Sequence, residues 1–154
     1  LWRACRGRMP ENLENALLGF GLLPRMLFVR QPPGSSRLVY AHFGSGIEFM
    51  KPCERLLMIG RDLDDLPDRA YGSWTARAYA ENLAGRRPRL QSIRATIRVS
   101  ETTAAEGRYD RLTLPWRNAS NDRFLMGISL TRKHRCIVEA SRQIGQERAG
   151  GHPN

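Results

Sequence analysis

The feature that most constrains this chain is a two-residue hydrophobic period that recurs along its second half. Between 90 and 100, Ile93, Ala95, Ile97 and Val99 alternate with Arg94, Thr96 and Arg98. Successive strand side chains point to opposite faces, so this alternation marks a strand with one buried face. Residues 109–116 repeat it with Leu112, Leu114 and Trp116, and residues 123–131 with Phe124, Met126, Ile128 and Leu130. Short polar loops join the three, which makes an antiparallel meander whose apolar face needs a cover.

The residues upstream supply that cover. Pro10 to Phe20 reads as a helix: proline suits the first turn, Glu11 and Glu14 suit the N-terminal dipole, and Gly19 and Gly21 end it. Leu13, Ala16, Leu17 and Phe20 form one apolar stripe at helical spacing. Met26–Gln31 and Arg37–Phe43 read as strands joined by the Pro32–Ser36 turn, a hairpin. From Ile47 to Asp68 the breakers Pro52, Gly60 and Pro67 leave room for short helical turns only. Asp68 then suits the N-cap of a helix over Arg69–Ala84, with Gly85 as its stop. Tyr71, Trp74 and Ala78 share one side of that helix, widened by Tyr79 and Leu83. The chain thus divides into an N-terminal flanking helix (1–21), a sheet-containing domain (22–132) and a polar tail (133–154) with a short helix at most.

Composition excludes several classes. A chain of 154 residues buries a core without staples. No apolar run approaches the ~20 residues that span a bilayer, and the basic start Leu-Trp-Arg-Ala-Cys-Arg leads into no secretory apolar segment. Three isolated cysteines, Cys5, Cys53 and Cys136, make neither a disulfide framework nor a zinc cluster, so a reducing cytoplasm is the expected setting. The formal charge of +10 rests almost wholly on arginines scattered along the chain, the densest group being Arg86-Arg87-Pro88-Arg89 without interleaved aromatics. An arginine-rich solvated surface is the favoured account, and binding to nucleic acid or an anionic membrane is the alternative.

The order strand, strand, short helices, longer helix, three strands is that of the PAS fold. Leu22-Leu-Pro-Arg-Met-Leu-Phe-Val29 resembles the Leu-Pro entry to the first strand in a bacterial family of small PAS proteins. Arg37-Leu-Val-Tyr40 with Phe43-Gly-Ser-Gly46 resembles that family's second strand and glycine exit, and Gly60-Arg-Asp-Leu63 its turn. Leu112-Thr-Leu-Pro-Trp116 and Phe124-Leu-Met-Gly-Ile-Ser-Leu130 are similar to its closing strands. The resemblance covers about residues 10–132 and implies an α+β architecture. In it, one five-stranded antiparallel sheet has its first strand beside its last, helices on one face, and a flanking N-terminal helix. It implies a non-catalytic sensory or interaction module in bacterial signalling, and no catalytic residues. The connection from Gly46 to Gly60 is longer than the family's, and Pro115 belongs at a strand end or bulge.

Sharper chemistry finds little support. A flavin photoreceptor of this class needs a reactive cysteine in Asn-Cys-Arg-Phe-Leu, whereas Cys53 stands in Lys-Pro-Cys-Glu-Arg. Haem needs an axial ligand, and residues 69–84 hold no histidine, so no cofactor is assigned. There is no Ser-His-acid spacing and no phosphate loop. Asp62, Asp64, Asp65 and Asp68 lack the spacing of a calcium loop and read as caps, and Asn118-Ala-Ser120 reads as a turn. In a PAS arrangement Tyr40, His42, Tyr71, Trp74, Trp116 and Met126 would converge between sheet and helix. Core packing is the favoured reading and a small apolar or aromatic ligand the functional one, with Trp74 as its wall and Tyr40 and His42 as polar handles. Leu13, Leu17 and Phe20 are the expected contacts of a homodimer, or else a cap on the open sheet face; a signalling protein is the other expected partner.

Overall fold

The alternating stretches become strands of one sheet in the computed structural model, which describes residues 1–47, 50–98 and 103–138. In chain order the elements are α1 (Leu13–Gly19), β1 (Met26–Gln31), β2 (Val39–Phe43), α2 (Pro52–Met58), α3 (Arg69–Gly85), β3 (Arg89–Arg98), β4 (Thr103–Arg117) and β5 (Arg123–Val138). Single 3-10 turns at Leu23–Arg25 and Leu63–Asp65 lead into β1 and α3. The five strands pair antiparallel in the order β2-β1-β5-β4-β3, so the first strand lies beside the last, as expected.

Both faces of this sheet are covered, and the apolar stripes read from the sequence divide between them. One core joins Met26, Trp116, Met126 and Ile128 to Leu13 and Leu17 of α1, with Trp2 and Leu112 at its margin. The other joins Val29, Tyr40 and Leu125 to Tyr79 and Leu83 of α3 and to Met58, Leu63 and Leu66. Ile97 lies on the α3 side, and Ile93, four residues earlier on the same strand, shares its face. The expected single buried face is therefore two half-faces.

Strand ends explain several irregularities. Pro115 lies beyond the last β3–β4 pair, Arg89 with Thr113, so its missing N–H costs no bond to β3. There the N-terminal segment takes over: the Trp2 Nε1–H donates to the Pro115 carbonyl at 2.7 Å, and the Arg117 N–H to the Gly7 carbonyl at 2.9 Å. Gly7 has φ of 72°, and a Cβ there would press on Trp2 and Pro115, so glycine is required. The outer edge of β2 is closed by residues 60–63, where the Tyr40 N–H donates to the Arg61 carbonyl and the Leu63 N–H to the Leu38 carbonyl. β5 runs to Val138, so residues 133–138 of the expected polar tail belong to the sheet; residues 139–154 of that tail lie outside the described residues. No helix among the described residues is long and apolar enough to cross a membrane.

Candidate functional site

The helix α3 is anchored at its first turn. Asp68 caps it by accepting the Tyr71 N–H at 3.0 Å, and its second carboxylate oxygen accepts the Arg98 N–H at 2.9 Å, which ties the helix start to the end of β3. Burial opposes ionisation of Asp68, but the amides of Arg98 and Tyr71 outweigh it and hold the carboxyl below its ordinary value. The cap sets the phase of the helix, so that Gly72, Thr75, Tyr79, Asn82 and Leu83 turn inward. Gly72 fits because a Cβ would come within 2.9 Å of the Leu63 carbonyl.

Between this helix and the sheet lies a cavity of about 90 Å³. Tyr71, Thr75 and Tyr79 form its helix wall at one-turn intervals; Leu27, Phe43, Leu66 and Ile97 give it apolar surface; Tyr40, Tyr109 and Arg111 approach from the sheet. The Tyr71 and Tyr109 hydroxyls share a hydrogen bond. Burial raises the hydroxyl pKa of Tyr40, Tyr79 and Tyr109 above the ordinary 10.0, so all three are neutral at pH 7.

Arg111 is the unusual member. It is only 2% exposed. Its guanidinium carbon lies 5.1 Å from the Trp74 ring centre and 4.8 Å from that of Tyr79. It donates long hydrogen bonds to the Tyr79 hydroxyl (3.3 Å) and the Gln91 side-chain oxygen (3.2 Å). Its Nε–H has no protein partner, and neither has the Thr75 hydroxyl across the cavity. Ion pairs among the described residues are Arg37–Asp62, Arg89–Glu81, Arg94–Glu106 and Arg132–Asp110, none of which involves Arg111.

Of the six residues expected to converge, Tyr40 and Tyr71 line this cavity. Trp74 is half-buried, packed on Tyr71 and Arg111 but outside the lining, which corrects its role as the wall. Trp116 and Met126 belong to the α1 core, because the even-numbered residues of 112–116 and 124–128 face that side. His42 is exposed and edges against Phe28, 6.1 Å between ring centres. A bulge causes this: Val29 pairs with Tyr40 but Phe28 with His42, so one extra β2 residue, Ala41, breaks the alternation that would keep Tyr40 and His42 on one face. The same bulge brings Phe43 beside Tyr40, with ring centres 4.7 Å apart. In the N-terminal helix, Leu13 and Leu17 are buried against the sheet, which corrects their role as dimer contacts, whereas Phe20 remains 72% exposed.

Arg111, Thr75 and Tyr109 were not legible as site residues. Leu112, Leu114 and Trp116 claim the buried side of β4 in the sequence, and their odd-numbered neighbours read as solvent-facing. The available signal was topological: a helix pattern on each side of the hairpin covers both faces and buries Tyr109, Arg111 and Thr113 too. Elsewhere, Asp62 pairs with Arg37 at 2.8 Å, and no group of three or more His, Cys, Asp or Glu that could hold a metal is found among the described residues. Cys5 and Cys53 are free.

A second concentration of charge sits where the N-terminal segment meets the sheet. Arg6, Arg8, Arg86, Arg117 and Arg123 surround a groove of about 200 Å³ beside Trp116. Partial burial, then repulsion from Arg86, Arg123 and Arg8, pushes the Arg117 guanidinium below its ordinary value. Comparison of the sequence with protein-family models finds no match, and neither does a search of curated proteins.

Proposed function

We propose that this chain is a PAS sensory or regulatory module, non-catalytic and cytoplasmic, which couples occupancy of a small-molecule cavity to a partner surface in bacterial signal transduction. The observation that carries the reading is the strand order β2-β1-β5-β4-β3 with α3, which lies between β2 and β3 in the chain, laid over a cavity. The motif resemblance over residues 10–132 supports it. A ligand that prefers one packing of α3 on the sheet shifts the population of that packing, and the exposed surface reports the shift. The output partner is a second copy or a signalling protein.

The test is mass spectrometry of small molecules released from the purified protein, followed by titration of each back onto stripped protein. The reading expects a molecule that rebinds and raises the melting temperature. Protein that purifies empty and responds to no compound in a broad metabolite panel argues against it.

The arginine groove supports a second reading, a surface for nucleic acid or anionic membrane. Binding to random DNA that is tight at low salt and collapses steeply as salt rises favours this reading, and weak binding throughout removes it.

A further inference from the structure

Arg111 poses a charge problem that the chain itself does not solve. A guanidinium removed from water is strongly disfavoured unless an opposite charge or a full set of acceptors meets it. Here the partners are two aromatic faces, a neutral hydroxyl and a neutral amide oxygen, and the Nε–H remains unpaired. The neighbouring Tyr79 and Tyr109 hydroxyls are raised by burial and carry no charge at pH 7. The Thr75 hydroxyl is a second buried polar group without a protein partner, on the wall of the same cavity. Two unsatisfied groups on one small cavity of mainly apolar surface describe a recognition site rather than a finished core.

We propose that the cavity between α3 and the sheet takes a small monocarboxylate, its carboxylate held by Arg111 and its aliphatic or aromatic body lying among Leu27, Phe43, Leu66 and Ile97. The inference rests on the ligand-binding reading above and names the ligand's class. Arginine suits the task because its planar donors match the two oxygens of a carboxylate. One buried cation balances one negative charge, so a monoanion fits where a phosphate dianion would leave charge unpaired. The hydroxyls of Thr75 and Tyr79 supply further donors for the carboxylate, and the apolar wall excludes strongly hydrated anions. Arg25, exposed at the rim, adds positive potential at the entrance.

The experiment titrates butyrate, hexanoate, benzoate and phenylacetate into the full chain by calorimetry and thermal shift, against the primary amide of each acid and against inorganic phosphate. The expected result is that at least one acid binds and raises the melting temperature while its amide and phosphate do not. Arg111→Met removes a buried unpaired charge at similar volume, a change that proteins tolerate, and is expected to weaken acid binding about tenfold or more. Arg111→Lys keeps the charge without the planar fork and serves if the Met variant does not fold; it is expected to lose affinity about tenfold as well. The proposal is overturned if no acid binds, if acids bind no better than amides or phosphate, or if both variants bind acids as the parent does. Amides that bind where acids fail would sink the carboxylate assignment and leave the ligand-binding reading standing. Failure of that wider reading shows separately, in protein that purifies empty and responds to nothing in the broad panel.

Discussion

The single carboxylate of Asp68 joins two elements, accepting the Tyr71 amide of α3 with one oxygen and the Arg98 amide of β3 with the other, as a short acceptor before a helix is suited to do. Asp68→Ala is expected to cost about 1 kcal/mol in urea unfolding at pH 7. The carboxyl's folded pKa lies below its ordinary 3.8, so its contribution is present above that value and fades as pH falls through the folded one. A flatter acid limb in the Ala variant, measured from pH 5 to pH 2, is the matching signature. Tyr40 gives the opposite sign. Burial raises its hydroxyl pKa, so stability is full below the ordinary 10.0 and is lost as pH climbs above it. Tyr40→Phe is expected to change stability by no more than ~1.5 kcal/mol at pH 7. It should unfold at a measurably higher pH than the parent in an alkaline titration. Nothing in the sequence signalled Ala41 as a bulged residue, since Tyr40, Ala41 and His42 fit a regular strand equally well.

Among elements, the periods were legible and the assignment of faces was not. A strand's alternation states that one side differs from the other; it does not state which layer each side meets. Ile93 and Ile97 turn toward α3 while Leu112, Trp116, Met126 and Ile128 turn toward α1, so three similar patterns serve two cores. β4 and β5 run longer than their hydrophobic periods for a related reason. Ala104-Ala-Glu-Gly107 carries no two-residue hydrophobic period, yet its backbone continues the ladder with β3 and β5. The short α1 owes its place to this packing, because a seven-residue helix is not stable alone. Leu17→Ala, at a position 3% exposed, is expected to cost about 2–5 kcal/mol. Phe20→Ala, three residues on and exposed, should lie within ~0.5 kcal/mol of the parent. Equal effects in denaturant titrations would contradict the division of the helix into a packed side and an open one.

For the whole molecule, the N-terminal 21 residues are part of the domain rather than an appendage, and this changes how a homodimer should be tested. Trp2, Leu13 and Leu17 pack on the core that holds Met26, Trp116, Met126 and Ile128. Removing 1–21 therefore bares that core and also takes away the segment that completes the end of β4. The truncated chain is expected to aggregate or unfold, so a loss of dimer in it says nothing about the interface. The informative change leaves the packed side of α1 alone. Leu18 and Phe20 are 64% and 72% exposed on its open side, and a Leu18→Ser, Phe20→Ser double variant retains every core contact. If α1 carries the proposed two-fold contact, light scattering across a concentration series should show the parent as a dimer and the double variant as a monomer of unchanged melting behaviour at low concentration. A parent that stays monomeric at high concentration rules out the homodimer. A double variant that dimerises as the parent does moves the interface to other exposed apolar residues. The next candidates are Leu90 on β3 and Leu130 on β5, which are 73% and 50% exposed.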